Sequence, residues 1–181
     1  NPAPSELDQT VAGHIISEIE DGACLQIGIG GMPNAVCGLL VHAGIKDMGV
    51  HTEMMTDGIA ELYHAGLITG ARKKLDPGKI VYTFAAGLRS LYDMLDRNND
   101  MLCRCVDATN APDQIMQNPD VVAINSTTQV DLTGQAASES DGNRHLTGTG
   151  GQAQFVRGAC ASEGGKSFIC LSSVYERGDI R

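Results

Sequence analysis

Apolar residues recur along this chain at two spacings, and the switching between them sets the expected fold. Leu7, Val11, Ile15 and Ile19 fall at four-residue steps, which predicts a helix over 5–20 with Ser5 as its cap. Asp21-Gly22 ends it, and 24–29 reads as a buried strand running into a glycine turn. A second helix is predicted over 33–42 with Val36, Leu39 and Leu40 inward, and Pro33 suits its first position. Residues 49–53 read as a strand, and Thr56 or Asp57 caps a helix that runs to Leu67. After a turn at 75–78 come a strand over 79–84, a helix over 88–95, a strand over 101–106, a short helix from Pro112 and a strand over 121–125.

The rhythm then changes. Residues 127–132 alternate polar and apolar, Gly134 breaks the run, and 135–140 can return beside it as a hairpin. A glycine-rich loop at 146–152 and a last strand over 167–171 follow. Strand–helix alternation implies an α/β fold: an open, mainly parallel sheet with helices on both faces, and some antiparallel strands in the C-terminal third. Length suits one domain over 1–181.

Composition narrows the functions open to such a fold. A formal charge of −9 argues against a nucleic-acid footprint, which needs clustered positive charge. No run nears the roughly 20 apolar residues of a membrane span, and no signal peptide is visible. The six cysteines, Cys24, Cys37, Cys103, Cys105, Cys160 and Cys170, show no CxxC or zinc-ligand spacing and mostly sit in apolar runs. Reduced, mostly buried thiols in a cytoplasmic protein are the expectation, with no metal site. The chain opens on Asn-Pro-Ala-Pro and stops soon after a core strand, so it reads as a piece of a longer protein.

Two stretches carry candidate chemistry. Gly28-Ile29-Gly30-Gly31-Met32 turns a strand into a helix, where glycines permit close backbone approach and leave N–H groups facing outward. The bland alternative is a tight turn with no ligand; a dinucleotide fingerprint fails because its last glycine would fall on Pro33. The second stretch, Val50-His51-Thr52-Glu53, ends a strand on a carboxylate. In a parallel sheet both strand ends open on the ligand-binding edge. Glu53 is then either a nucleophile beside the glycine turn or a solvated acid. His51, two residues away on the same strand face, is a positioning group, a base or a structural histidine. The polar run 125–129 and the glycines 148–151 each read equally as ligand contacts or as plain bends. Arg72-Lys73-Lys74 reads as a solvated helix end that could also meet phosphates. None of the cysteines sits in an electropositive setting that would make it a nucleophile.

These segments together resemble the family I coenzyme A transferases, in their acetyl-CoA hydrolase/transferase branch. The match lies on 25–36 (LQIGIGGMPNAV), 51–58 (HTEMMTDG), 77–81 (PGKIV), 124–126 with 130–135 (INS and VDLTGQ), and 148–152 with 155–158 (GTGGQ and FVRG). The resemblance covers nearly the whole chain in the family's order. It implies the C-terminal catalytic domain of an enzyme built from two similar open α/β domains, the N-terminal one being absent here. It also implies that Glu53 is the nucleophile, with Thr52 where the family usually has Ser. Gly28, Ile29, Gly30, Gly31 and Met32 would then contact coenzyme A and form the oxyanion hole. Gly151, with Gly150 beside it, would line the thioester site, and Thr128 would sit against the coenzyme A arm. Gln154 stands where the family usually carries Asp, which puts a local hydrogen-bond network in doubt. The implied substrates are an acyl-CoA and a short-chain carboxylate such as acetate, with no tightly bound cofactor, in a homo-oligomer. An acyl-CoA hydrolase and a non-catalytic coenzyme A-binding domain remain the alternatives.

Overall fold

The computed structural model describes residues 4–141 and 143–173. The terminal segments behind the reading of an excised piece fall mostly outside them. In order the chain forms α1 (Glu6–Ile16), β1 (Cys24–Ile27), α2 (Gly31–Leu40), β2 (Gly49–His51), β3 (Met54–Met55), α3 (Asp57–His64), β4 (Ile80–Tyr82) and β5 (Phe84–Ala85). Then come α4 (Arg89–Leu95), β6 (Met101–Cys103), α5 (Val106–Thr109), α6 (Pro112–Ile115), β7 (Val121–Ser126), β8 (Gln129–Val130), β9 (Ala136–Ala137), α7 (Gln152–Ala161) and β10 (Lys166–Cys170).

Six strands form one sheet in the order β10-β7-β1-β2-β4-β6, and every pairing in it is parallel. Its residues alternate between two cores, as the strand pleat requires. Leu25, Ile27, Val50, Ile80, Val122 and Ile124 face the larger core, with Ile15, Val36, Leu40, Ile59, Leu62 and Leu91 of α1–α4. Cys24, Val121 and Ala123 face the smaller one, with Ile115, Phe155 and Ala159 of α6 and α7. Helices thus cover both faces. The hairpin also forms, with β8 and β9 paired antiparallel through Gln129–Ala137 and Val130–Ala136.

Local chemistry explains where elements begin. Ser5 caps α1 reciprocally: its Oγ accepts from the Asp8 amide at 3.1 Å, while Asp8 Oδ2 accepts from the Ser5 amide at 2.9 Å. Such a cap stabilises a helix by about 1 kcal/mol. Pro33 is the third residue of α2 rather than its first, because the helix starts at Gly31. Its ring fits there because first-turn amides have no intrahelical partner.

Three expectations need correction. Arg72-Lys73-Lys74 is no solvated helix end, since α3 stops at His64. Lys73 is buried, its Nζ donating to the carbonyls of Val50 at 3.0 Å and Lys79 at 2.7 Å, and burial lowers its pKa. Arg72 donates to the Asp21 carbonyl at 2.8 Å. The six cysteines are free, but Cys103, Cys105 and Cys160 are exposed, because each lies at or beyond the end of an element, away from either core. Finally, α5 and α7 stand where no helix was predicted. Among the described residues no helix is long and apolar enough to cross a membrane.

Candidate active site

Strand order alone creates a crevice at the carboxyl edge of the sheet. From β1 the chain adds β2, β4 and β6 on one side, then crosses back to lay β7 and β10 on the other. The connection leaving β1 runs toward β2, and the one leaving its neighbour β7 runs the other way to β10. They part between the carboxyl ends of β1 and β7, the usual ligand position in open α/β sheets. A cleft of about 330 Å³ opens there, with Gln26, Gly28, Glu53, Asn125, Ser126 and Gly151 among its lining. On its lining, the buried side chains of Gln26 and Asn125 form a reciprocal amide pair. Gln26 Nε2 donates to Asn125 Oδ1 at 3.2 Å, and Asn125 Nδ2 to Gln26 Oε1 at 2.8 Å. Apolar wall comes from Ile29, Met54, Phe84 and Phe155.

Glu53 is placed by a fault in the strand rather than by its end. β2 stops at His51 and pairing resumes at Met54. Between them the Glu53 carbonyl accepts from two successive amides, Thr83 at 2.9 Å and Phe84 at 3.2 Å. Two successive donors converging on one acceptor interrupt the ladder locally, although the register is the same on both sides, Val50 opposite Ile80 and Met54 opposite Phe84. The Glu53 carboxylate is then held at both oxygens. Asn110 Nδ2 donates to Oε1 at 3.0 Å, and the Gly151 amide donates to Oε2 at 3.1 Å. Asn110 must present its NH₂ group here, because an ionised carboxylate only accepts.

Gly151 caps the N-terminus of α7, so the acid also lies at the positive end of a helix dipole. A Cβ on Gly151 would stand 2.6 Å from Asn110 Nδ2 and 2.7 Å from Glu53 Oε2, so a side chain there would push both groups from their present places. Asn110 is the functional residue that sequence reasoning missed, having been read only as the approach to a short helix. It sits just after α5, 57 residues from Glu53.

The other predicted residues are distributed around this centre. Gly28, Ile29 and Gly150 line the cleft with Glu53 and Gly151. The Gly28 amide is already spent on the Ile124 carbonyl at 2.8 Å, so the turn's outward donors begin at Ile29. Gly30 adopts a φ of +124°, a conformation that favours glycine. Gly31 and Met32 lie one step back, lining an adjoining recess of about 210 Å³ with Ser126 and Thr127. Thr128 is not among the lining residues; its Oγ1 donates to the Ala137 carbonyl within the hairpin. The cleft side of that hairpin is given instead by Ser138 and Glu139.

His51 is buried, and its Nε2 lies 2.7 Å from the Thr109 carbonyl, so Nε2 carries the proton. Desolvation lowers its pKa to about 4 against a weaker upward pull from that carbonyl, so the ring is neutral at pH 7. Its other nitrogen, Nδ1, is buried with no hydrogen-bond partner among the described residues, so the ring makes no hydrogen bond to Glu53. Gln154 shares a shallow recess with Asn110, and its Oε1 is buried without a partner. Among the described residues no three His, Cys, Asp or Glu side chains are grouped to hold a metal ion.

The site is thus a doubly hydrogen-bonded glutamate beside the switch point of a parallel α/β domain, and comparison gives the family. The model of the acetyl-CoA hydrolase/transferase C-terminal domain matches residues 87–181, and the chain belongs to that family. It is 48% identical over 178 residues to a probable butyrate:acetyl-CoA coenzyme A-transferase of Syntrophomonas wolfei, covering 98% of this chain and 40% of that protein. It is 46% identical over 173 residues to a butyryl-CoA:acetate CoA-transferase of Anaerostipes caccae, covering 96% and 39%. Among solved structures, a 4-hydroxybutyrate CoA-transferase of Porphyromonas gingivalis superposes with a TM-score of 0.86 at 38% identity, over 99% of this chain and 42% of the other. The chain therefore spans about 40% of the length of the curated relatives it matches.

Proposed function

We propose that this chain carries the nucleophile of a CoA-transferase that moves coenzyme A between an acyl-CoA and a short-chain carboxylate. One observation carries the reading. Glu53 in the switch-point cleft has both carboxylate oxygens fixed by neutral N–H donors, beside a glycine turn. Neutral donors orient a carboxylate without consuming its charge, which is what a carboxylate nucleophile needs.

Glu53 attacks the thioester carbonyl, the C–S bond breaks, and an acyl-glutamyl anhydride and coenzyme A thiolate result. The thiolate then attacks the glutamyl carbonyl, expelling the first carboxylate and leaving a glutamyl-CoA thioester. An incoming carboxylate runs both steps in reverse and departs as the new acyl-CoA. Donor, enzyme and acceptor acids have similar basicity (Glu about 4.3), so each exchange is nearly balanced. Every tetrahedral intermediate bears an oxyanion, and one well-placed donor for it is worth roughly 2.7–4 kcal/mol. The amides from Ile29 onward are the candidate donors to a substrate oxyanion, while that of Gly151, already on Glu53 Oε2, serves where the oxyanion forms on the glutamyl group itself.

In this reading a second α/β domain completes the cleft within a homo-oligomeric cytoplasmic enzyme. The length of the relatives supports it, as does the exposure of Ile29, Phe84 and Leu88 at this edge of the sheet. The family also embraces acetyl-CoA hydrolysis, in which water replaces the second carboxylate; product analysis with and without acetate separates the two. The deciding experiment is mass spectrometry of the full-length enzyme incubated with acyl-CoA, followed by peptide mapping. A coenzyme A adduct on the Glu53 peptide, lost together with turnover in Glu53→Gln, is the expected result. Normal turnover by that variant would end the proposal.

A further inference from the structure

We infer that His51 is a positioning residue for the nucleophile, fixing at once the two segments that hold the Glu53 carboxylate. The inference rests on the transferase reading above. One edge of the imidazole donates from Nε2 to the Thr109 carbonyl at 2.7 Å. The next residue is Asn110, whose Nδ2 reaches Glu53 Oε1. The ring also meets Phe155 in an edge-to-face arrangement, centroids 6.3 Å apart and planes at 60°. Phe155 lies one turn inside α7, and its amide donates to the Gly151 carbonyl at 3.1 Å. The Gly151 amide in turn reaches Glu53 Oε2. A single buried ring thus stands one step behind each donor to the carboxylate, from a position two residues before Glu53 in the chain.

A purely space-filling role would suit a hydrocarbon better. His51 is almost fully buried, at 1% exposure, and its Nδ1 has no partner. Burying an unpaired ring nitrogen is unfavourable relative to an apolar group of similar shape. What histidine adds over methionine or leucine is the N–H aimed at Thr109. That bond fixes the peptide leading into Asn110, and tilting it would swing the amide away from Oε1. Misplacing a reacting group by about 1 Å is costly even when every group remains present.

The test uses the full-length enzyme. His51→Met keeps volume and removes the donor; His51→Gln keeps an Nε2 able to reach the same carbonyl. Losing the donor should lower kcat about tenfold with the KM for acyl-CoA within about twofold, and His51→Gln should recover most of that loss. Adding His51→Met to Asn110→Ala should cost less than the two single losses multiplied together, because the two changes share the Asn110 arm while the Phe155–Gly151 arm is touched by His51 alone. Equal rates in the Met and Gln variants, a loss confined to KM, or losses that multiply across the pair would overturn the inference. Nitrogen-15 NMR of the wild-type imidazole decides the matter should the Met variant misfold. A neutral Nε2–H ring at pH 7 supports it, and an Nδ1–H or doubly protonated ring overturns it. A wild-type enzyme that forms no Glu53 adduct would instead refute the transferase reading, while the NMR signature would still report on His51 alone.

Discussion

Two glycine turns border the cleft, and they use glycine for opposite reasons. The first, 28–31, is built into the sheet. The Gly28 amide pairs with Ile124, a Cβ there would press on Asn125 Oδ1 at 3.1 Å, and α2 begins at once. The second, 148–151, is open along most of its length: nothing lies within 4 Å of a Cβ built on Gly148 or Gly150. Only its final residue is hemmed in, by the nucleophile itself. The first turn shapes the floor and the second grips the acid. A glycine-rich string says nothing by itself about which member is sterically required.

Substitutions can break or sharpen that contrast. The largest effect is expected from Gly151→Ala, whose methyl would overlap both Asn110 Nδ2 and Glu53 Oε2. Steady-state kinetics of the full-length enzyme should show a loss of about 100-fold or more in kcat. Melting should show a destabilisation of about 1–3 kcal/mol.

Acid offers the next lever, because the second turn leans on His51 and the first does not. Burial holds the pKa of His51 near 4, below its ordinary 6.5, with smaller contributions from the Thr109 carbonyl and the charges of Lys73, Asp76 and Arg104. Between those values the unfolded chain binds the proton and the folded one resists it. Stability is therefore fully present above about pH 6.5 and falls as the pH drops toward 4, by up to about 3 kcal/mol. Denaturant titrations should show this slope in the wild type and not in His51→Gln.

Gly28→Ala should cost less, about 1–2 kcal/mol, since Asn125 Oδ1 at 3.1 Å and the Ile124 carbonyl at 3.2 Å need each yield only a few tenths of an ångström. Gly148→Ala should be the mildest. Its melting temperature should be unchanged or slightly raised, through reduced freedom of the unfolded chain. A large loss there would show that the second turn is more constrained than its open surroundings imply.

The strands were legible because burial on both faces makes each a short apolar run: 24–27, 80–82 and 121–125 announce themselves. α7 was not, since glycines flank it and its inward face is only Phe155, Gly158 and Ala159. That i, i+3, i+4 set was the available signal, weakened by small residues. Glu53 stood out by its place at a strand end near the glycine turn, with the resemblance favouring nucleophile over solvated acid, whereas Gly151 was singled out by the resemblance. Asn110 carried no local signal at all, because its partner lies 57 residues away and only the packing of α5 against the sheet brings them together. Lys73 misled for the converse reason. Three consecutive cations look solvated, and only two carbonyls at the sheet's other end explain why one is drawn in.

The break in the ladder at Glu53 has a kinetic corollary. A glutamate on a free loop would surrender the rotation of its whole side chain each time substrate arrived, a penalty of up to about 2 kcal/mol. Here the main chain is pinned at one end by Thr83 and Phe84 and the tip at the other by Asn110 and Gly151. The disorder has been given up once, when the chain folds, and each round of chemistry begins with the acid already aimed.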